Sequence, residues 1–527
     1  MTEKKSITLI SLNDYLALGP RNISSYLKER GYGVDVIFFR NMISNQKLSS
    51  AKIEEDLLID LIRRLDTSIV GISVCSPYFK VASQITRRIQ EELKIPVVWG
   101  GVHPTIMPEQ SIKLADMVCI GEGEQPMLEL MQNLSEKKCA DRIKGLWLRR
   151  DGEIIKSEDL PPVQDLDILP YPDYSNEGKY FIEANNIYEG DPALCEGKGL
   201  VGSWRKGLIT LKNEYYMLAS RGCPFRCSYC CNSFLHKKYS SQDKVVRWRS
   251  VKNVIGEIVS ITARFPKIKK IQFYDALFPW DKEWVSEFCR EYKAHVNKPF
   301  YVSSHPNVLK EENLAMLKDA GADIVGFGIE SGSERVRREI YERDVSDLAI
   351  INAAKAIHNQ KIEPHYYIIL DNPFENWQDK LAGLELLLKL PRPFILIIHS
   401  LYLFPKVEVT KKVLSLWFGE ISEEKIEDWL FKQSELGMDF STNPINDLFW
   451  KSLYSLTAKE FVPKFLIRSM GRSKFLQKHP KTVLVFAKLC DYIKFIWTGI
   501  TRLLKREISL KNIRNNLSLR QFADTYH

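Results

Sequence analysis

The chain has no long apolar run free of charge. Its most apolar C-terminal stretch, residues 482–504, is broken by Lys488, Asp491 and Lys494, with Lys505 just beyond. A membrane span tolerates such charges poorly. The start, Met-Thr-Glu-Lys-Lys, leads into an apolar stretch at residues 7–11 with no signal-peptide core, so secretion is not expected. The 10 cysteines do not form two separated C-x2-C knuckles, the usual zinc arrangement. Without a secretion signal they suggest a reducing cytoplasm rather than a disulfide framework. Acidic residues are scarce at one end: from Lys451 onward there are 4 Asp/Glu against 16 Lys/Arg. With +9 overall, the remainder carries about −3. A basic tail on a near-neutral body suits an anionic neighbour such as a membrane or nucleic acid, with a solvated helical face as the ordinary alternative. At 527 residues, two to four domains are expected.

Against that background three cysteines stand together in Arg221-Gly222-Cys223-Pro224-Phe225-Arg226-Cys227-Ser228-Tyr229-Cys230, at C-x3-C-x2-C spacing. Three thiolates on one short loop suit an iron–sulfur cubane. The missing fourth ligand leaves one iron open to a small molecule. Cys231 adjoins Cys230, and neighbouring residues rarely ligate one metal comfortably. The spacing, with aromatic Tyr229 before the last cysteine, resembles that of the radical S-adenosylmethionine enzymes. The resemblance implies a [4Fe-4S] cluster held by Cys223, Cys227 and Cys230. It also implies that S-adenosylmethionine chelates the open iron and is cleaved reductively to a 5′-deoxyadenosyl radical. Tyr229 would then lie near the adenine; core packing is its alternative.

Residues 1–140 alternate strands (7–11, 33–39, 69–73, 97–99, 117–120) with helices (20–31, 52–65, 80–93, 125–134). This predicts an α/β fold with a doubly wound parallel sheet, which binds ligands at the carboxyl ends of its strands. Two glycine-rich loops fall at such ends: Gly100-Gly101-Val102-His103-Pro104-Thr105 and Gly121-Glu122-Gly123-Glu124. As a pair they resemble the cobalamin-binding domain fused ahead of many radical S-adenosylmethionine enzymes. The resemblance implies cofactor contacts for Gly100, Gly101, His103, Gly121, Glu122, Gly123 and Glu124, and cobalamin as a cofactor. The Asp-x-His-x-x-Gly motif that supplies a cobalt-binding histidine in other cobalamin proteins is absent, as it generally is in this subgroup. For His103 a capping or packing role is the alternative.

Residues 141–213 read as a connector, with a hairpin turning at Asp151-Gly152 and a proline-bearing stretch at 165–173 that resembles the family's interdomain linker. Residues 176–212 show no firm pattern. Residues 214–405 repeat strand and helix, with strands at 216–219, 270–274, 301–303, 324–329, 365–370 and 394–400. A partial (β/α)6 barrel is expected, with its functional groups at the strand carboxyl ends. There Asp275 matches the family's acid after strand two, an acceptor for the S-adenosylmethionine ammonium, although Ala276 replaces a common second acid. A helix N-cap is the alternative. Glu330, in Gly328-Ile329-Glu330-Ser331-Gly332, matches the family's G-I-E-S-G, which implies contact with the ammonium or ribose hydroxyls; capping is again the alternative. Asp371-Asn372-Pro373 departs from the family's Gly-x-Pro after strand five, a change expected to alter the floor of the pocket. Arg343 lies where relatives carry a basic residue, with a carboxylate partner or a surface role. No general acid or base is legible.

Residues 406–527 are expected to be helical. Val483, Phe486, Ala487, Cys490, Ile493, Trp497, Ile500 and Leu504 form one helical stripe. Such a helix either packs on the barrel or lies in a membrane interface with its lysines in water. The resemblance as a whole implies a cobalamin-dependent enzyme that methylates an unactivated carbon of a small-molecule or lipid-like substrate. A reductant such as flavodoxin or ferredoxin is expected, with a cytoplasmic location, membrane contact at the inner face through the C-terminal helices, and no nucleic-acid partner. The alternatives are radical cyclisation, rearrangement or oxidation without methyl transfer, and a non-catalytic cofactor-binding sensor. A methylthiotransferase would need a second cluster on N-terminal cysteines, but Cys75, Cys119 and Cys139 are widely spaced.

Overall fold

The computed structural model describes residues 5–40, 52–193, 213–239, 244–419 and 447–504. Parts of the connector (194–212) and of the basic tail (505–527) lie outside the described residues, as do the side chains of Ile500 and Leu504. The described residues fall into two compact units. Stretches from 5–193, 220–265 and 403–419 form the first, and 213–219, 266–402 and 447–504 form the second.

The first unit is built on a nine-stranded sheet. Its strands are β1 (Ser6–Leu12), β2 (Gly33–Phe39), β3 (Ile69–Ser73), β4 (Val97–Gly100), β5 (Met117–Cys119), β6 (Leu146–Arg150), β7 (Glu153–Ile155), β8 (Lys179–Glu183) and β9 (Asn186–Glu189). Their order is β7-β6-β5-β4-β3-β1-β2-β8-β9. From β5 to β8 every pairing is parallel; β6, β7 and β9 run antiparallel at the two edges. The central strands are apolar runs such as Ile-Thr-Leu-Ile-Ser-Leu, buried along almost their whole length, as strands covered on both faces must be. The helix Lys52–Leu65 buries Leu58, Ile59, Leu61 and Ile62, together with Glu54 paired to Arg40, and turns Arg63 and Arg64 outward. Strand order reverses between β1 and β3, and the carboxyl ends on either side of that switch form the crevice where such sheets bind ligands.

The connector contributes four strands to this sheet. The β6–β7 hairpin turns on Asp151 and Gly152, both at positive φ (51° and 83°), as the dipeptide predicts. The β8–β9 hairpin places Ala184 and Asn185 in the same region (φ 50° and 61°) without a glycine, which is why the sequence carries no turn signal there.

The second unit holds a six-stranded, all-parallel sheet in chain order: β10 (Glu214–Met217), β11 (Lys270–Phe273), β12 (Phe300–Ser304), β13 (Ala322–Glu330), β14 (Glu363–Leu370) and β15 (Ile395–Ser400). The helices Lys282–His295, Glu311–Ala320, Asp347–Asn359 and Trp377–Lys389 connect β11 through β15, giving a partial barrel. Three of them start at side-chain caps: Asp281, Ser346, and Asn376 in a capping box with Asp379.

The second unit ends in helices Leu448–Thr457, Lys464–Arg472, Lys474–Lys478 and Pro480–Leu504. They are tied to the barrel through Asp371, the residue that departs from the family's Gly-x-Pro. It is fully buried after β14 at φ 57°. Its backbone N–H donates to Asp447 Oδ2 at 3.0 Å, and the Asp447 N–H returns a bond to Asp371 Oδ1 at 2.9 Å. Lys451 pairs with Asp371 at 2.5 Å, Ser400 donates to Asp371, and Lys380 pairs with Asp447. Removing one member leaves the others buried and uncompensated, a loss on the order of 3–5 kcal/mol. Asp371→Ala is expected to speed hydrogen exchange across Leu448–Thr457 and Asp447, with β1–β5 unchanged.

Candidate functional site

The glycine-rich loops predicted at the edge of the first sheet are brought together. Val74, just after β3, donates its N–H to Gly100 O at 2.8 Å and accepts from the His103 N–H at 3.1 Å. Gly101 sits at φ 102°, where a Cβ would lie 3.0 Å from Val74 O, so only glycine fits this close approach. Thr105 Oγ1 donates to Gly101 O at 2.8 Å and accepts from the Gly121 N–H at 3.0 Å, joining the two loops. Gly121 is at φ 86° and Gly123 abuts Ile23, whose Cδ1 would lie 2.9 Å from an added Cβ. His103 is buried (3% exposed), its Nδ1 lies 3.0 Å from Ser76 Oγ, and its ring packs on Phe79 at 4.7 Å. Burial pulls its pKa down to about 4, so the ring is neutral at physiological pH.

The carboxylates of the second loop meet the cysteine loop. Glu124, 4% exposed, accepts from Arg221 Nη2 at 2.6 Å. Glu122 lies 3.2 Å from Arg221 Nη1 and 2.9 Å from Arg247 Nη1, and also accepts from the Val163 N–H at 2.8 Å. Burial works against the charge on Arg221, but Glu124 and Glu122 more than offset it and hold its pKa above the usual arginine value. Arg221 and Arg247 face each other across a short antiparallel ladder, Ser220–Arg221 with Arg247–Trp248. Sequence reasoning missed both arginines. The one available signal was the position of Arg221, directly ahead of Gly222-Cys223.

Gly222 is at φ 90°, and a Cβ there would lie 2.0 Å from Val245 O. The loop that follows carries Cys223 and Cys230 half-buried and Cys227 buried, with no disulfide. Cys230 N–H donates to Cys227 O at 3.0 Å, and Cys230 O accepts from Ser233 N and Oγ as the helix Cys231–Tyr239 begins. Tyr229 is half-buried. Among the described residues, no group of three or more His, Cys, Asp or Glu side chains is drawn together around one metal ion. A cubane seats each cysteine on a different iron, so three soft thiols spread along one short loop fit it better than they fit a single ion. The glycine-lined carboxyl ends of β4 and β5 likewise offer a flat cofactor room for close backbone approach.

In the second unit Asp275 is buried, and its Oδ2 accepts from the Ala219 N–H at 3.2 Å, so it braces the chain just before the cysteine loop. It caps no helix: the next one, Lys282–His295, is capped by Asp281. Glu330 ends β13 at φ 67°, beside a break in register with β14. A Cβ on Gly328 would lie 1.9 Å from Glu330 Oε1, so that glycine makes room for the carboxylate. Arg343 is buried and donates to Gly328 O at 2.7 Å, bracing the same bulge. Next to it, Ser331 donates to Glu375 Oε1 at 2.5 Å, and burial raises the Glu375 pKa to about 7.

Residues 5–131 match the B12 binding domain and residues 217–387 match the radical SAM superfamily. A protein of Pyrococcus horikoshii named an uncharacterized methyltransferase is 27% identical over 339 residues, covering 63% of this chain and 66% of that one. An anaerobic magnesium-protoporphyrin IX monomethyl ester cyclase of Rubrivivax gelatinosus is 27% identical over 329 residues, covering 59% of this chain and 51% of that one. The match thus spans just under two thirds of the first relative and about half of the second. The solved structure of the radical S-adenosylmethionine methyltransferase TsrM from Kitasatospora setae, with cobalamin and a [4Fe-4S] cluster bound, superposes with a TM-score of 0.58 at 13% identity, covering 93% of this chain and 100% of that one. At that identity the shared property is the fold.

Two outcomes follow. His103 has a folded pKa near 4 against an ordinary 6.5, so the unfolded chain takes up the proton first as pH falls. Stability is full above about pH 6.5 and declines towards pH 4, by up to about 3 kcal/mol. Urea midpoints of His103→Gln should lack the part of that decline belonging to this residue; curves parallel to wild type would contradict it. Gly222→Ala should bind severalfold less iron and sulfide on anaerobic reconstitution than wild type, because the loop cannot close against Val245.

Proposed function

We propose that this chain, a radical SAM superfamily protein carrying an N-terminal B12-binding domain, is a cobalamin-dependent methyltransferase acting on an unactivated carbon of a small-molecule or lipid-like substrate. One observation carries the reading. The glycine loops at the edge of the first sheet and the three-cysteine loop are joined within one compact unit by Arg221, Glu122 and Glu124. That link would hold the two loops at a fixed spacing, as a reaction that uses both cofactors requires.

When bound, the cluster supplies the electron that cleaves S-adenosylmethionine, and cobalamin carries the methyl group. The chain's own residues hold and orient. Cys223, Cys227 and Cys230 ligate the cluster. Gly100, Gly101, Gly121 and Gly123 admit the corrinoid to the backbone. His103, held at Nδ1 by Ser76 and packed on Phe79, would be a further corrinoid contact of this loop. Asp275 and Glu330 accept from the ammonium or ribose hydroxyls of S-adenosylmethionine, and Tyr229 packs near its adenine. The working division is a cobalamin-binding domain at 1–140, a connector at 141–213, a radical barrel at 214–405 and a helical region from 406. A flavodoxin or ferredoxin serves as reductant, and oxygen-labile cofactors favour the cytoplasm.

The cyclase relative supports a second reading, radical chemistry without methyl transfer. Protein reconstituted with iron, sulfide and cobalamin, reduced and given methyl-deuterated S-adenosylmethionine separates the two. Methyl transfer is expected to give 5′-deoxyadenosine together with deuterium in the corrinoid fraction. 5′-Deoxyadenosine without that label favours the second reading, and neither product from fully loaded protein sinks both. Cys223→Ala should abolish 5′-deoxyadenosine formation and keep corrinoid absorbance.

A further inference from the structure

The C-terminal helices carry a surface that the chemistry above does not use. Among the described residues, 19 large apolar side chains are exposed, and nine of them lie between Phe461 and Trp497. Single exposed apolar residues are ordinary, but such a concentration marks a contact surface. Among the described side chains of Pro480–Leu504, the buried ones are Val483, Ala487 and Cys490. Val485 (66% exposed), Leu489 (53%), Ile493 (49%) and Trp497 (68%) follow at steps of four and form a second stripe facing water. In the preceding short helices Phe465 and Phe475 are 73% and 67% exposed.

Cations surround these residues. Lys464, Arg472, Lys474, Lys478 and Lys481 are all exposed. Phe465, Arg468, Ser469, Arg472 and Ser473 line an open cleft of about 500 Å³. Arg468 is held in place by a two-pronged bond to Glu385, 2.7 Å on each side, which offsets its charge, so the cleft's net positive charge comes from Arg472, beside two hydroxyls. No helix of the described residues is long and apolar enough to cross a membrane, so these apolar groups are not part of a helical span.

We propose that residues 461–497 form a peripheral docking surface for an anionic lipid bilayer. The apolar stripe and the two phenylalanines enter the interface, and the basic rim and the arginine–serine cleft meet lipid phosphates. Charge complementarity selects this occupant. A second copy of the chain would press one cationic face on another, and charges are depleted from the cores of protein interfaces. Residues 505–527 are themselves basic, with Lys505, Arg506, Lys511, Arg514 and Arg520, and would repel the same rim. A bilayer rich in acidic headgroups takes up apolar and cationic groups together. The proposal is independent of methyl transfer, since it concerns where the enzyme works.

The full chain should float with vesicles of phosphatidylcholine and phosphatidylglycerol, far less with phosphatidylcholine alone, and detach as salt rises. The triple variant F465S/F475S/W497S alters only exposed positions, so its thermal unfolding should match wild type while vesicle partitioning falls at least about tenfold. K474E/K478E should weaken binding to anionic vesicles and spare the residual binding to neutral ones. Failure to float with anionic vesicles overturns the proposal, as does a triple variant that floats like wild type. A non-floating wild-type dimer that the triple variant converts to monomer would assign the face to self-association instead.

Discussion

The first unit depends on one guanidinium. Arg221 reaches back 97 residues to Glu124 and also meets Glu122, which Arg247 shares. Most of this network is buried, so the cost of taking its charges out of water consumes much of their mutual attraction. Its value therefore lies in specificity more than in net stability. A cluster loop that slipped by one residue would leave two carboxylates and two guanidinium groups poorly paired in a low dielectric, which is costly enough to exclude the slip. Gly222 then turns the chain where no side chain fits, and the three cysteines follow at fixed distance from the loops of the parallel sheet.

The second unit repeats this logic with different groups. Its carboxylates sit at strand ends in backbone conformations that L-residues avoid: Glu330 at φ 67° and Asp371 at φ 57°. Strained residues persist only where their surroundings over-determine them. Arg343 and Gly328 do this for Glu330, and Asp447, Lys451 and Ser400 do it for Asp371. The departure from Gly-x-Pro thus becomes intelligible. A residue with a carboxylate at that point anchors a helical segment 76 positions later in the chain.

What was legible in the sequence was what local chemistry dictates. Helical and strand periods located both parallel sheets, and the cysteine spacing singled out the loop that turns at Gly222. What was not legible was pairing at long range and turns with unusual residues. Nothing in Glu122 or Glu124 announces Arg221, and nothing in Ala184-Asn185 announces a hairpin. The stripe on the last helix was read as one face, yet the structure buries Val483, Ala487 and Cys490 and exposes Ile493 and Trp497. The reason is length. Its partner helix Leu448–Thr457 has 10 residues, about 15 Å, against 25 residues, about 37 Å, for the last helix. Only the first half can be covered, so the period continues past the point where there is a core to face.

The ion pairs also decide what the glycine loops can offer a cofactor. Had Glu122 and Glu124 pointed freely from the sheet edge, the crevice would carry two negative charges and favour a cation. With both consumed by Arg221 and Arg247, and His103 neutral against Phe79, the edge presents mainly backbone amides and glycine surface. Such a surface recognises shape and hydrogen-bonding pattern rather than charge. It suits a large, flat cofactor held over a broad area.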